Sequence, residues 1–198
     1  MSNKFRSVKW LVNNNYAPQV YLFRNIESGQ VAYSQLPHIN TYQLKTQWWR
    51  PNWENRKPSK RRDIWRVMAV ATFEDHEKAL KAYNALVELR YMREVTKRKE
   101  AESLRKRNSD GNIWYYAQYR PTYSMESVAD LSEVIDQFKF KTKIHWEDIW
   151  RKGEDKHWSA ELAEHIELPK FNPRERFAVL DQLREETLRE AKETKEIV

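Results

Sequence analysis

Basic side chains interleaved with tryptophans form the clearest chemical pattern in this sequence. Residues 50–66 read RPNWENRKPSKRRDIWR, in which only Glu54 and Asp63 oppose seven basic side chains. Arginine contacts phosphate through two parallel hydrogen bonds and stacks on bases, and prolines hold such a loop extended before it binds. The segment predicts a nucleic-acid contact, and a solvated charged loop with Trp53 in the core is the alternative. The predicted contact residues are Arg50, Trp53, Arg56, Lys57, Lys60, Arg61, Arg62 and Arg66.

A second basic segment lies between residues 96 and 107, where six basic side chains face two acidic ones. A solvent-facing helix with ion pairs one turn apart is the alternative interpretation. Two acids cannot balance six bases, so the segment favours a helix that follows the phosphates of RNA or DNA. Its predicted contact residues are Lys97, Arg98, Lys99, Arg105, Lys106 and Arg107. Arg120, within YRPTY at 119–123, adds a possible phosphate contact, although core packing explains that stretch equally well.

Glycine and nucleophile patterns argue against an enzyme. A phosphate-binding loop needs clustered glycines, so that backbone N–H groups can face the anion. The three glycines of this chain, Gly29, Gly111 and Gly153, are far apart, and no serine or cysteine nucleophile motif occurs. We therefore expect no P-loop ATPase, no cofactor and no catalytic residues.

Metal-dependent chemistry has little support in the sequence. His145 lies near Glu147 and Asp148, but charged loops commonly carry such residues, so we expect no metal site. A metal-dependent nuclease is a third functional hypothesis, and it needs paired carboxylates around Mg²⁺. The candidates on the basic side of the chain are better explained as helix-start acids or as partners of arginine; they are Glu54, Asp63, Glu74 and Asp75.

The charge balance suggests polyanionic partners. The net charge is +7; residues 1–146 hold 26 basic and 15 acidic side chains, whereas residues 147–198 hold 10 basic and 14 acidic ones. Neutralising phosphates releases counterions, so we expect the first part to bind nucleic acid and the tail to meet neighbouring proteins. The absence of cysteine excludes disulfides and thiolate metal sites. No membrane span or secretory signal is expected, and the acid-poor start before Glu27 is compatible with mitochondrial import.

Hydrophobic patterns predict the elements that position these residues. Residues 19–25 and 31–35 read as a hairpin with Gly29 in the turn, and 41–48 as a short helix. The nearly continuous apolar run 64–73 predicts a central strand covered on both faces. A long helix over 75–107, about 50 Å at 1.5 Å per residue, would project its basic second half beyond a small domain.

Further elements are predicted after residue 108. They are a turn at 109–112, a strand at 113–119, a helix from Ser124 with an apolar stripe, a strand at 143–146, short turns over 147–158 and a last helix capped by Asn172. The order β-β-α-β-α-β-α predicts an α/β (α+β) fold with a small mixed sheet and packed helices. We expect a basic α/β domain over 1–158 and a helical, net acidic extension over 159–198.

Five stretches together resemble one known family. PQVYLFRN (18–25), RPNWENRKPSKRRDIWR (50–66), LRYMREVTKRKEAESLRKR (89–107), YRPTYSMESVADL (119–131) and HWEDIWRKGEDKHW (145–158) are similar to the fungal mitochondrial homologous-recombination protein, which is also a fungal-specific protein of the large mitochondrial ribosomal subunit. The resemblance runs in order from about residue 18 to 158.

This resemblance implies two roles. One is a structural, rRNA-binding constituent of the mitochondrial large subunit, with mitoribosomal proteins as neighbours. The other is ATP-independent pairing of homologous DNA in mitochondrial DNA recombination and inheritance, with a link to transcription regulation. A basic aromatic surface does not by itself distinguish rRNA from mitochondrial DNA.

Overall fold

A five-stranded mixed sheet organises the chain. The computed structural model describes residues 6–49, 51, 56–103, 124–170, 172 and 174–196. The strands are β1 (Gln19–Asn25), β2 (Val31–Ser34), β3 (Trp65–Phe73), β4 (Thr142–Trp146) and β5 (Ala163–Glu167). Their order in the sheet is β2-β1-β3-β4-β5, and every neighbouring pair is antiparallel except β4 with β5. The predicted α/β fold with a mixed sheet is confirmed.

β3 is the central strand, as its apolar run predicts. Leu22 of β1 pairs with Ala69 and the next residue, Phe23, pairs with Val67, so Met68 is an extra residue that forms a β-bulge. Because of this bulge, Val67 and Val70 both face one core while Ala69 faces the other. The strand is therefore buried on both faces of the sheet.

Helices cover both faces. The described helices are α1 (Val8–Asn13), α2 (Thr41–Thr46), α3 (His76–Tyr91), α4 (Arg98–Ser103), α5 (Ser124–Phe138) and α6 (Arg176–Glu196). α3 and α5 bury Leu86 and Leu131 in the core that contains Leu22. α6 buries Leu180 in the other core, which contains Phe23. Side chains alternate between the faces of a strand, so these helices lie on opposite sides of the sheet.

The prediction of one continuous helix over 75–107 is wrong, because the helix is interrupted after Tyr91. Regular α-helix ends at Tyr91, Met92–Thr96 forms a π-helical turn, and α4 begins only at Arg98. Lys97 between them has φ −112° and ψ 30°, which is outside the helical region. The described part of the basic segment is thus a separate short helix, and the preceding turn sets its direction.

The tail contributes to the sheet, which the sequence patterns did not predict. We expected only helices after residue 158, but Ala163–Glu167 forms β5, parallel to β4. Leu168 follows it into the core, and Leu180 and Leu183 of α6 are buried beside it. The division of the chain at residue 158 stays a prediction, and it falls between two strands of one sheet.

The remaining local predictions concern turns and the start of the last helix. The hairpin turn is present, with Gly29 at φ 73°, and residues 149–152 and 155–157 form short 3₁₀ turns. Glu175 Oε2 accepts from the Asn172 backbone N–H at 3.3 Å, but the Asn172 side chain accepts from the Arg174 backbone N–H at 3.1 Å. Because α6 begins only at Arg176, the predicted helix cap at Asn172 is wrong. The turn at 109–112 and the strand at 113–119 lie outside the described residues.

A side-chain amide completes the outer edge of β2. The backbone N–H of Tyr33 donates to Gln47 Oε1 at 2.9 Å, and Gln47 Nε2 donates to the Tyr33 carbonyl oxygen at 2.7 Å. The buried guanidinium of Arg90 donates to the same Oε1 at 3.1 Å and lies 4.2 Å from the Tyr33 ring centroid. Gln47 therefore occupies the place that another strand would take.

Candidate nucleic-acid interface

The described part of the first basic segment, residues 56–63, is held at the start of β3. Gln30 Nε2 donates to the Arg56 carbonyl oxygen at 2.6 Å, and Trp65 Nε1 donates to the Ser59 carbonyl oxygen at 3.0 Å. Pro58 is buried between these two anchors. The backbone is thus fixed to the sheet while the long basic side chains extend into solvent.

The cations of this segment differ in their partners. Arg61 is paired with Asp63 at 2.6 Å and lies 3.6 Å from Glu27, and the hydrogen bond that Arg61 donates to Asp63 raises the pKa of Arg61. Asp63 therefore has an arginine partner, as predicted. Arg56, Lys57 and Lys60 are exposed and form no ion pair within the described ranges of the chain. These three charges are available to an external anion.

Arg62 is exposed near a histidine. Burial lowers the pKa of His38, and the positive charges of Arg62 and Arg6 lower it further. His38 is therefore neutral at physiological pH and adds no charge to this surface.

Arg66 lies on β3 directly across from Arg24 of β1. Both side chains are half-buried, and the Nε atom of each is buried without a hydrogen-bond partner among the described residues. Burial lowers the pKa of Arg24. The positive charges of Arg151 and Arg66 lower it further, and the negative charges of Glu147 and Asp148 oppose this shift. Like charges directly opposite each other destabilise a sheet, and Glu147 and Asp148 offset part of this repulsion.

Arg151 joins the same cluster from the 3₁₀ turn after β4. Its Nε donates to Asp148 Oδ2 at 2.9 Å, and its guanidinium carbon lies 4.4 Å from the ring centroid of Trp150. We call Arg24, residues 56–63, Arg66 and Arg151 the basic end of the sheet. Sequence reasoning missed Arg24, which is the lone basic residue of β1, and Arg151, which lies in the net acidic stretch 145–158; only the fold brings the two together.

α4 carries the described part of the second basic segment toward this end. β3 leads into α3, which packs back across β1, β2 and β3, so α3 finishes beside the end where β3 begins. Lys97 and Lys99 are exposed, whereas Arg98 is paired with Glu102 at 2.7 Å. Topology thus directs both basic segments to one end of the sheet. Six predicted contact residues lie outside the described residues; they are Arg50, Trp53, Arg105, Lys106, Arg107 and Arg120.

A buried ion pair fixes the helix turn that precedes α4. Arg93 Nη1 donates to Asp130 Oδ1 at 2.6 Å, Nη2 donates to Oδ2, and Glu126 lies 3.7 Å from Nε. Burial lowers the pKa of Arg93, but the hydrogen bonds and charge of Asp130 outweigh it and raise the pKa overall. The Tyr33 hydroxyl donates to the same carboxylate at 3.3 Å, and burial raises its pKa to about 12. No local sequence pattern indicates this network, since its members are separated by up to 97 residues.

The carboxylates considered for a nuclease serve the fold where the structure describes them. Asp75 accepts from the Lys78 backbone N–H at 2.7 Å as the N-cap of α3, and Glu74 pairs with the Lys78 side chain. Across the described part of the chain, no group of three or more acidic or histidine side chains could hold a metal ion. Within the same ranges, no helix combines the length and apolar character needed to cross a bilayer.

The fold and this surface define a small basic α/β protein with a cluster of arginines and lysines at one end of a mixed sheet. The family model described as "Transcriptional regulation of mitochondrial recombination" matches residues 17–100. The chain is 55% identical over 181 residues to large ribosomal subunit protein mL67 of Debaryomyces hansenii, covering 91% of this chain and 78% of that one. It is 51% identical to mL67 of Candida albicans over 179 residues, covering 90% and 75% of the two chains. For mL67 of Eremothecium gossypii the identity is 52% over 192 residues, covering 95% and 90%.

The chain belongs to the mL67 family of large ribosomal subunit proteins. The family resemblance seen in the sequence is thereby confirmed, as is the mitochondrial location. The relatives are named as ribosomal proteins, which also confirms the expectation that the protein is not an enzyme.

Proposed function

We propose that the protein is a structural constituent of the large subunit of the mitochondrial ribosome and that the basic end of its sheet binds rRNA. One observation carries the proposal. The backbone of residues 56–63 is fixed to the sheet by Gln30 and Trp65, while the side chains of Arg56, Lys57 and Lys60 stay exposed and unpaired among the described residues.

A fixed backbone lowers the cost of binding, because little conformational freedom is lost when the phosphates arrive. Unpaired cations then gain the full effect of counterion release. The names of the relatives support a ribosomal assembly as the place where this happens. The described residues proposed to contact rRNA are Arg56, Lys57, Lys60, Arg61, Arg62, Arg66, Lys97, Arg98 and Lys99.

The acidic tail is proposed to contact neighbouring ribosomal proteins. α6 buries Leu180 and Leu183 against the sheet, while Glu185, Glu186 and Glu190 are exposed on it. Negative side chains repel RNA phosphates and suit the basic surfaces of ribosomal proteins.

Gradient sedimentation of mitochondrial extract, with and without RNase, tests the ribosomal role. We expect the protein to co-migrate with the large subunit and to leave that fraction after RNase treatment. Migration as a small free species at low salt would contradict the proposal.

A second candidate function is ATP-independent pairing of homologous mitochondrial DNA, with an effect on transcription. The observation that favours it is the extent of the family match, since residues 17–100 include the first described basic segment and Lys97, Arg98 and Lys99 of the second. The test is annealing of complementary DNA strands without ATP by the purified protein and by a variant with Arg61→Ala and Arg62→Ala. A loss of annealing in the variant supports this role, and unchanged annealing counts against these residues.

A further inference from the structure

Trp150 is an aromatic side chain with no packing role. It is 69% exposed, more than any other large hydrophobic residue of the described ranges. The two other tryptophans of the same segment are used differently. Trp146 is fully buried, and Trp158 packs against it at 6.0 Å and donates its Nε1 to the Lys152 carbonyl oxygen at 2.9 Å.

The Trp150 ring is nevertheless held in an ordered position. It lies on the 3₁₀ turn Ile149–Lys152, and the guanidinium of Arg151 covers one of its faces at 4.4 Å. Arg151 is itself fixed, since its side chain is only 14% exposed and is paired with Asp148 at 2.9 Å. One face of the indole is therefore braced by a cation and the other is open to solvent. A rigid, open aromatic face is what an unstacked base needs.

Arg151, which covers the ring, is linked to two further arginines on the sheet. Arg151 acts electrostatically on Arg24, which lies across from Arg66 in the strand register. The buried Nε atoms of Arg24 and Arg66 have no partner in the described ranges. Glu147 and Asp148 act on Arg24 with the opposite sign. Burial raises the pKa of the Glu147 carboxyl, and the charges of Arg24, Arg151 and Arg66 oppose this shift. An oxygen-rich anion is the partner that would satisfy both arginines.

We propose that Trp150 and the arginines beside it form a binding site for an unpaired nucleotide of rRNA: the base stacks on the open face of Trp150, and the adjacent phosphate binds Arg24, Arg66 and Arg151. The site rests on the proposed rRNA-binding function and adds a preference for bulges, loops or ends over continuous duplex. A stacking surface accepts any base, so the site selects unpaired structure rather than sequence.

The test compares the whole protein with its Trp150→Ala and Trp150→Phe variants. Fluorescence anisotropy measures the Kd for a labelled single-stranded RNA, for single-stranded DNA of the same sequence and for a blunt RNA duplex with the same number of phosphates. The matched control is Tyr42→Ala, which removes an exposed aromatic ring on α2. Circular dichroism and thermal unfolding establish that each variant is folded.

Removing the indole should weaken binding of single-stranded RNA about tenfold, and Trp150→Phe should restore most of the loss, since stacking contributes about 1–3 kcal/mol per base. Binding of the duplex should change less than twofold, and Tyr42→Ala should change neither. Equal losses on single strand and duplex, or no loss on either, would overturn the site while leaving the rRNA-binding function intact. A loss confined to DNA would overturn the assignment to RNA. Failure of the unsubstituted protein to bind any RNA would overturn the proposed function and this site together.

Discussion

Arg93 and Asp130 are joined by two hydrogen bonds between a guanidinium and a carboxylate, with the Asp130 side chain only 7% exposed. Arg93 belongs to the π-helical turn and Asp130 to the middle of α5, so this pair fixes the turn against the domain. The direction in which α4 leaves the core depends on that turn.

Replacing Asp130 with Asn should destabilise the protein by about 2–4 kcal/mol, because the variant leaves a largely buried guanidinium without its carboxylate. Urea unfolding followed by circular dichroism measures the change. Glu133→Gln, an exposed position on the same helix, is the control and should have little effect. A double-mutant cycle with Arg93→Gln should give a coupling energy of about 1 kcal/mol or more, and strictly additive losses would contradict the pairing.

Neutralising Lys57 and Lys60 should weaken RNA binding and make it less sensitive to salt. Two lost phosphate contacts lower the slope of log Kd against log salt by about 1.5. The control is Lys139→Gln with Lys141→Gln, since these two exposed lysines precede β4 at the opposite end of the sheet. Equal effects of the two double variants would show that net charge, and not the basic end, governs binding.

Stability should decline as the pH falls below about 6.5, partly through His165. Burial and the charge of Lys152 lower the pKa of His165, and its Nδ1 accepts a hydrogen bond from Trp146 Nε1 at 3.0 Å. The unfolded chain therefore binds a proton at a pH where the folded one does not, so this stability is present above the unfolded pKa and is lost on acidification.

His165→Asn keeps an acceptor near the position of Nδ1 but cannot titrate. Urea unfolding between pH 5 and 8 should give the variant a shallower pH dependence, with the difference between the two proteins growing as the pH falls. An identical pH profile for the two proteins would exclude His165 as a contributor.

Truncating a buried leucine of α6 should show how much the packing of the tail contributes to the free energy of unfolding. Leu180 is fully buried, so Leu180→Ala should cost about 2–5 kcal/mol of unfolding free energy. Gln182→Ala, an exposed position two residues later, should change it by less than about 0.5 kcal/mol. A cost below about 1 kcal/mol for Leu180→Ala would mean that the tail packs only loosely.

The elements with strong local patterns could be predicted, and those that depend on distant partners could not. The apolar run of β3 predicts a buried strand, and the apolar stripe of α5 predicts an amphipathic helix, because these structures remove the apolar side chains from water. β5 reads AEHIE, and only Ala163 of it is buried, so no alternation identifies it as a strand. The π-helical turn interrupts a continuous helical pattern, and its partner Asp130 lies 37 residues away.

In the candidate site, too, residues in a locally basic segment could be predicted, and residues brought in by distant parts of the fold could not. Lys57 and Lys60 stand out because their segment is dense in positive charge. Arg24 is the lone basic residue of β1, and Arg151 lies beside Lys152 in the net acidic stretch 145–158, so neither stands out. They join the surface only through the pairing of β1 with β3 and the turn after β4.

The amide of Gln47 has a consequence for the protein before it is assembled. An uncovered strand edge is a template on which identical chains add strand to strand, and such growth removes a subunit from use. Gln47 takes up both hydrogen-bonding groups of Tyr33 in the middle of that edge, and the buried Arg90 prevents the amide from swinging away. The β2 edge of a newly folded copy is thus blocked against pairing with the same edge of a second copy. Gln47 blocks the edge, and Arg90 holds Gln47 in place.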